Sequence, residues 1–184
     1  MIIPVWGVSC GLRCVMNFKR FSWLVGLSLI SHQTWSSCDV VKHLAGEAYQ
    51  TAPNYAASID KQSDLDAIAQ VGIWFIYAEP NHQAWFNTCA PIQRLQSTFY
   101  PVLQTTDQFA VINGLFLIKT HREQDIHLLE KRYGFKLVSA LPNRFSAVFD
   151  VNPVADYDAL IKRLDRDKDI ERVAPVLIET PRQR

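Results

Sequence analysis

The 184-residue sequence has few of the residues from which catalytic and cofactor-binding motifs are usually built. Its 7 glycines form no phosphate-cradling loop. His-Glu-x-x-His is absent, which removes the zinc-protease helix, and the one Gly-x-Ser-x-Gly, Gly7-Val-Ser-Cys-Gly11, falls within the first 37 residues. Neither sign of charge is in excess. The 19 Lys and Arg face 18 Asp and Glu, a formal net charge of +1, without the basic surplus of a nucleic-acid binder. The Lys/Arg-Gly-Phe signature of RNA-reading sheets is missing as well. No apolar run approaches the roughly 20 residues of a membrane-spanning helix. What is present, 48% hydrophobic and 20% charged residues, has the profile of a globular protein.

One local absence is informative. Residues 1–37 contain Arg13, Lys19 and Arg20 and no acid. Met16-Asn17-Phe18-Lys19-Arg20 opens a basic stretch, Phe21 to Ile30 is apolar, and Ser31 to Ser37 is small and polar. This is the layout of a secretory signal. Thr34 and Ser36 put small residues at the −3 and −1 positions of a cut after Ser36. The expectation is a signal over residues 1–37, with Met16 as the true start and a mildly acidic body exported to the periplasm or beyond the cell.

The four cysteines divide accordingly. Cys10 and Cys14 fall in the leader with no histidine beside them, so zinc is not expected. Cys38 and Cys89 remain, and in an oxidising compartment an isolated pair reads as a disulfide. An alternative makes Cys38 a lipidation site, although Trp35 stands where a lipobox carries an aliphatic residue.

Beyond the leader the chain has two textures. Residues 38–110 read as a mainly helical region punctuated by proline: Val40 to Tyr49, then Leu65 through Ile68, Val71 and Ile73 to Tyr77, then Pro91 to Tyr100. Its aromatic residues, Trp74, Phe75, Tyr77, Trp85, Phe86, Phe99 and Tyr100, are read as core. Residues 111–184 are more regular. An apolar strand at Gly114–Ile118 precedes a helix with a Thr120-x-x-Glu123 capping box and a stop at Gly134. A strand at Phe135–Leu141 and an alternating strand at Phe145–Val151 follow. A helix carries Tyr157, Leu160, Ile161 and Leu164 on one face, and a last strand runs from Arg172 to Thr180. The order β-α-β-β-α-β predicts an α+β protein whose C-terminal part is a ferredoxin-like sandwich.

Three runs in that part are more specific than the fold. They are Phe116-Leu-Ile-Lys119, Tyr133-Gly-Phe-Lys-Leu-Val138, and Leu160 to Leu164 leading into Asp169-Ile-Glu-Arg-Val173-Ala174-Pro175. With them the segment Gly114–Pro181 resembles the propeptide domains of subtilisin-like serine proteases, particularly the fervidolysin-like type. The family's Ala-Glu-Pro-Asn is reduced here to Ala174-Pro175. The resemblance implies a chaperone or inhibitor of a subtilisin-like protease, acting in trans. Such a domain packs its open sheet face on the enzyme and lays its C-terminal tail in the substrate cleft. The tail corresponds to Glu179, Thr180, Pro181, Arg182, Gln183 and Arg184. The more polar alternating set, Lys136, Val138 and Ala140 with Ser146, Val148 and Asp150, is the expected partner face.

Enzyme readings find little support. His121 and His127 are six apart, on different sides of a helix, and nothing orients a Cys89–His82 pair. Asp165, Asp167 and Asp169 lack the glycine and glutamate of a calcium loop and read as a solvated helix end. No enzyme activity, cofactor or metal is expected, and neither nucleic acid nor a membrane span. The alternative function is an exported or lipid-anchored envelope protein that binds some other protein.

Overall fold

A computed structural model describes residues 38–80, 83–94 and 96–179, all within one compact unit; the leader, Cys10, Cys14 and His82 lie outside the described residues. The fold is α+β, with three helices and nine strands among those residues. In chain order they are α1 (Asp39–Ala45), β1 (Gln50–Ser58), β2 (Ala67–Val71), β3 (Trp74–Ala78), β4 (Ile92–Arg94), β5 (Ser97–Gln104), β6 (Phe109–Thr120), α2 (Glu123–Tyr133), β7 (Lys136–Ala140), β8 (Ser146–Asp150), α3 (Tyr157–Leu164) and β9 (Ile170–Glu179).

The C-terminal part has the expected order. β9, β6, β8 and β7 are neighbours in that sequence, all antiparallel, and α2 and α3 cover one face. Phe116, Ile118, Ala147, Phe149 and Val173 point from the sheet into the same core as Ile126, Leu129, Tyr157, Leu160, Ile161 and Leu164. Gly134 ends α2 in the left-handed conformation (φ 75°), where a side chain would be strained. The capping box does not form. α2 starts behind Arg122 without a side-chain cap, while Thr120 Oγ1 donates to the Arg122 and Phe145 carbonyls. Arg122 holds the buried Asp125 by two hydrogen bonds of 3.0 Å.

The reading of residues 38–110 as helical is overturned. Among the described residues there only α1 is helical, followed by five strands, β1 to β5, and the start of β6. The reason is burial on both faces. Ile76 and Tyr77 are adjacent and both fully buried, one against Trp74, Val102 and Val111, the other against Trp85 and Phe99. A strand covered on both sides loses its period-two signature, and a continuous apolar run then imitates a helix. Gly72 (φ 58°) opens the two-residue turn between Val71 and Trp74, a place where hairpins favour glycine. The strands β5, β1, β3 and β2 follow one another from β6 and curl until β2 lies against β6, wrapping the Trp74 cluster.

β6 joins the two parts. Its first half pairs with β5 and its second half with β8, while β9 runs along its other edge past both. At the junction the chain bulges around Gly114 (φ 84°). The space that a Cβ would take there is occupied by Asn152, whose Nδ2 donates to the Asn113 carbonyl, and by Tyr157. The Tyr157 hydroxyl donates to Asn152 at 2.7 Å.

Candidate protein-docking face

Among the described residues no helix covers the second face of the β9-β6-β8-β7 sheet. Its residues alternate with the core set: Leu115, Leu117 and Lys119 on β6, Val148 and Asp150 on β8, Arg172 and Ala174 on β9. None of these seven is buried, whereas Phe116, Ile118, Ala147, Phe149 and Val173 all are. Cross-strand pairing arranges them in rows. Ala174, Leu117 and Val148 stand side by side with Ser139 beyond, and Val138 forms the bulge next to Ser139. This apolar row is flanked on one side by Arg172, Lys119 and Ser146, and on the other by Leu115, Asp150 and Lys136. Lys119 Nζ bonds Glu171 at 2.6 Å, and its ammonium holds that carboxyl below the usual carboxylate range. An apolar strip between charged rims is the common anatomy of a protein interface.

The expected partner residues fare unequally. Lys136 is exposed opposite Asp150, Val138 is 52% exposed, and Val148 lies half-buried in the middle of the row. Ala140 is corrected: the bulge after Leu137 shifts its register, and it pairs with Ala147 of the helix-facing set. Ser146 is also corrected. It has the right register but is only 4% exposed, because the Asn143 side chain both donates to its hydroxyl and accepts from its backbone N–H. Asp150 accepts from the Asn152 backbone N–H. Leu115, Leu117 and Ala174 were missed in the sequence; the run Gly114–Ile118 is apolar throughout, so nothing marks which residues face out. Glu179 is the last residue of β9, paired with Ala110, and its carboxylate accepts from the Tyr49 hydroxyl. Thr180, Pro181, Arg182, Gln183 and Arg184 lie outside the described residues.

The remaining polar groups serve the fold. Asp167 and Asp169 are not a solvated helix end: Arg132 bridges them at 2.5 and 2.7 Å, and Tyr133 donates to Asp167 at 2.6 Å. Burial pushes the Asp167 carboxyl up, but hydrogen bonds from Tyr133, the Asp169 backbone N–H and Arg132 outweigh it and leave the group at about 2. Among the described residues no set of three or more His, Cys, Asp or Glu could hold a metal ion. Cys38 and Cys89 form a disulfide, which leaves Cys38 no thiol for a lipid and is consistent with an exported chain. A cleft of about 210 Å³ beside it is lined by Asp39, Asp156, Asp158 and Lys162. Two of these acids already serve backbone amides. Asp158 accepts from Val40 and Val41 at the start of α1, and Asp156 caps α3. Burial raises the Asp158 carboxyl, partly offset by those two bonds.

No family model matches the chain. No curated protein matches it either. Among solved structures it is similar to a chain in the crystal structure of the Aeromonas sobria serine protease and chaperone (ORF2) complex. That similarity covers 52% of this chain and 99% of the other at 16% identity, with a TM-score of 0.39.

Proposed function

We propose that this chain is an exported, non-catalytic protein that binds a subtilisin-like serine protease as an intermolecular chaperone, an inhibitor or both. The observation that carries the reading is the uncovered sheet face. It lies in the segment whose sequence resembles protease propeptides, and it offers the apolar row Ala174–Leu117–Val148 with Val138 beside it. Burying that row against the enzyme supplies hydrophobic free energy at roughly 25 cal/mol per Å². The Lys119, Arg172, Asp150 and Lys136 rims set the orientation. Glu179 is the last residue of β9, and Thr180 to Arg184 are assigned to the substrate cleft, where an extended peptide pairs with a strand edge.

The test is a titration of mature subtilisin-like proteases, including those secreted by the organism that makes this protein. Saturable inhibition, or a raised yield of active protease on refolding, is expected. An effect on neither property across the panel overturns the proposal and leaves the protein a binder of some other kind.

A further inference from the structure

The turn between β2 and β3 has no part in the proposal above, yet its position bears on it. Val102 pairs with Val111, Tyr100 with Ala57, Ala57 with Ile76 and Val71 with Trp74. Beyond Val111 the edge of β6 passes from β5 to β8. The antiparallel order turns the Tyr100 end of β5, the Ile59 end of β1 and the Gly72–Ile73 turn towards the half of β6 that carries Leu115 and Leu117.

This end of the N-terminal strands also stands on the open side of the sheet. Val111 packs with Trp74, Ile76 and Val102, whereas Ile112, Phe116 and Ile118 pack under the helices. Leu115 and Leu117 share the alternation of Val111, so the strands that curl over Val111 rise from the face that carries the apolar row. Tyr100 marks the inner corner. Its ring meets Trp74 edge-on at 5.0 Å, and burial together with the charge of Asp150 on β8 pushes its phenol up. On the rim above, Ile73 is 70% exposed and Ile59 51% exposed. A lone exposed isoleucine needs no explanation, but two bordering an uncovered apolar face extend that face.

We propose that Ile73 and Ile59 form a lip that makes a second contact with the protease docked on the open sheet face. The inference rests on the protease reading and assigns the N-terminal strands to partner binding. A body seated on Leu117 and Val148 meets the lip from the side, so the lip adds contact area and selects among proteases by the shape of their surface.

The experiment measures dissociation constants of the full chain and its variants against a mature subtilisin-like protease that the wild type binds. Ile73→Asp and Ile59→Asp should each weaken binding at least tenfold with an unchanged melting temperature. Val138→Asp serves as the control on the sheet face. Ile73→Ser keeps the test open if the aspartate loosens the turn. Wild-type affinity in the lip variants alongside lost affinity in Val138→Asp overturns the lip and leaves the sheet-face reading intact. A wild type that binds no subtilisin-like protease overturns both.

Discussion

Single residues decide whether the two halves of the molecule form one body. A Cβ on Gly114 would lie 2.1 Å from Asn152 Nδ2 and 2.7 Å from the Tyr157 hydroxyl, on a backbone at φ 84°. Gly114→Ala should therefore destabilise the fold by about 3 kcal/mol, combining left-handed strain with displacement of the part-buried Asn152–Tyr157 hydrogen-bonded pair. Urea unfolding measures this, and a change under about 0.5 kcal/mol, typical of a neutral surface site, contradicts it. Asp167 contributes to acid stability. Its carboxyl sits at about 2 in the fold against roughly 3.9 in an unfolded chain, so the unfolded state binds its proton first. The stability it contributes is complete above about pH 4 and is lost as the pH falls towards 2. Asp167→Asn should flatten the fall in urea midpoint over that range, and an unaltered slope would count against the Arg132–Tyr133 clasp. The clasp was not legible in the sequence, because Arg132 and Asp167 are far apart along the chain and only the fold brings them together.

At the scale of elements, legibility followed how many faces are buried. α3 and β8 each bury one face, and their periodicity was readable from Tyr157, Leu160, Ile161 and Leu164 and from Ala147, Phe149 and Val151, although Phe145 at the head of the alternation is 44% exposed. β3 and β5 are covered on both sides, so their apolar runs were misread as helix. Ala140 failed for a different reason: a bulge costs one residue of register and leaves no trace in composition. The short helix α1 depends on distant groups. The carboxylate of Asp158 receives its first backbone amides, and Cys38, just ahead of it, is tied to Cys89 across a separation of 51 residues. On the chain-entropy account a loop of that length stabilises the fold by roughly 4 kcal/mol. Replacing both cysteines by serine should lower the denaturation midpoint accordingly. Reduced and oxidised wild type with equal midpoints would show that the bridge has no such role.

On the scale of the whole molecule, β6 and β9 make one continuous ribbon shared by the N-terminal strands and the C-terminal sandwich. The N-terminal half is therefore part of the same sheet, and Ile178 of β9 packs against its Trp74 cluster. That continuity lets a partner on the open face reach both halves. It could not have been foreseen from residues 38–110 read as helices. The fold of the C-terminal half and part of its uncovered sheet face, Lys136, Val138 and Val148, were readable; Leu115, Leu117 and Ala174 required the pairing. This face, and not the helix-covered one, is proposed to hold a subtilisin-like protease. A photo-cross-linking residue at Val138 on the open face, or at Leu128 on the exposed side of α2 (43% exposed), tests it directly. Cross-links to the protease from position 138 and none from position 128 are predicted. The reverse pattern, or none from either in a mixture where the protease is inhibited, would contradict the account.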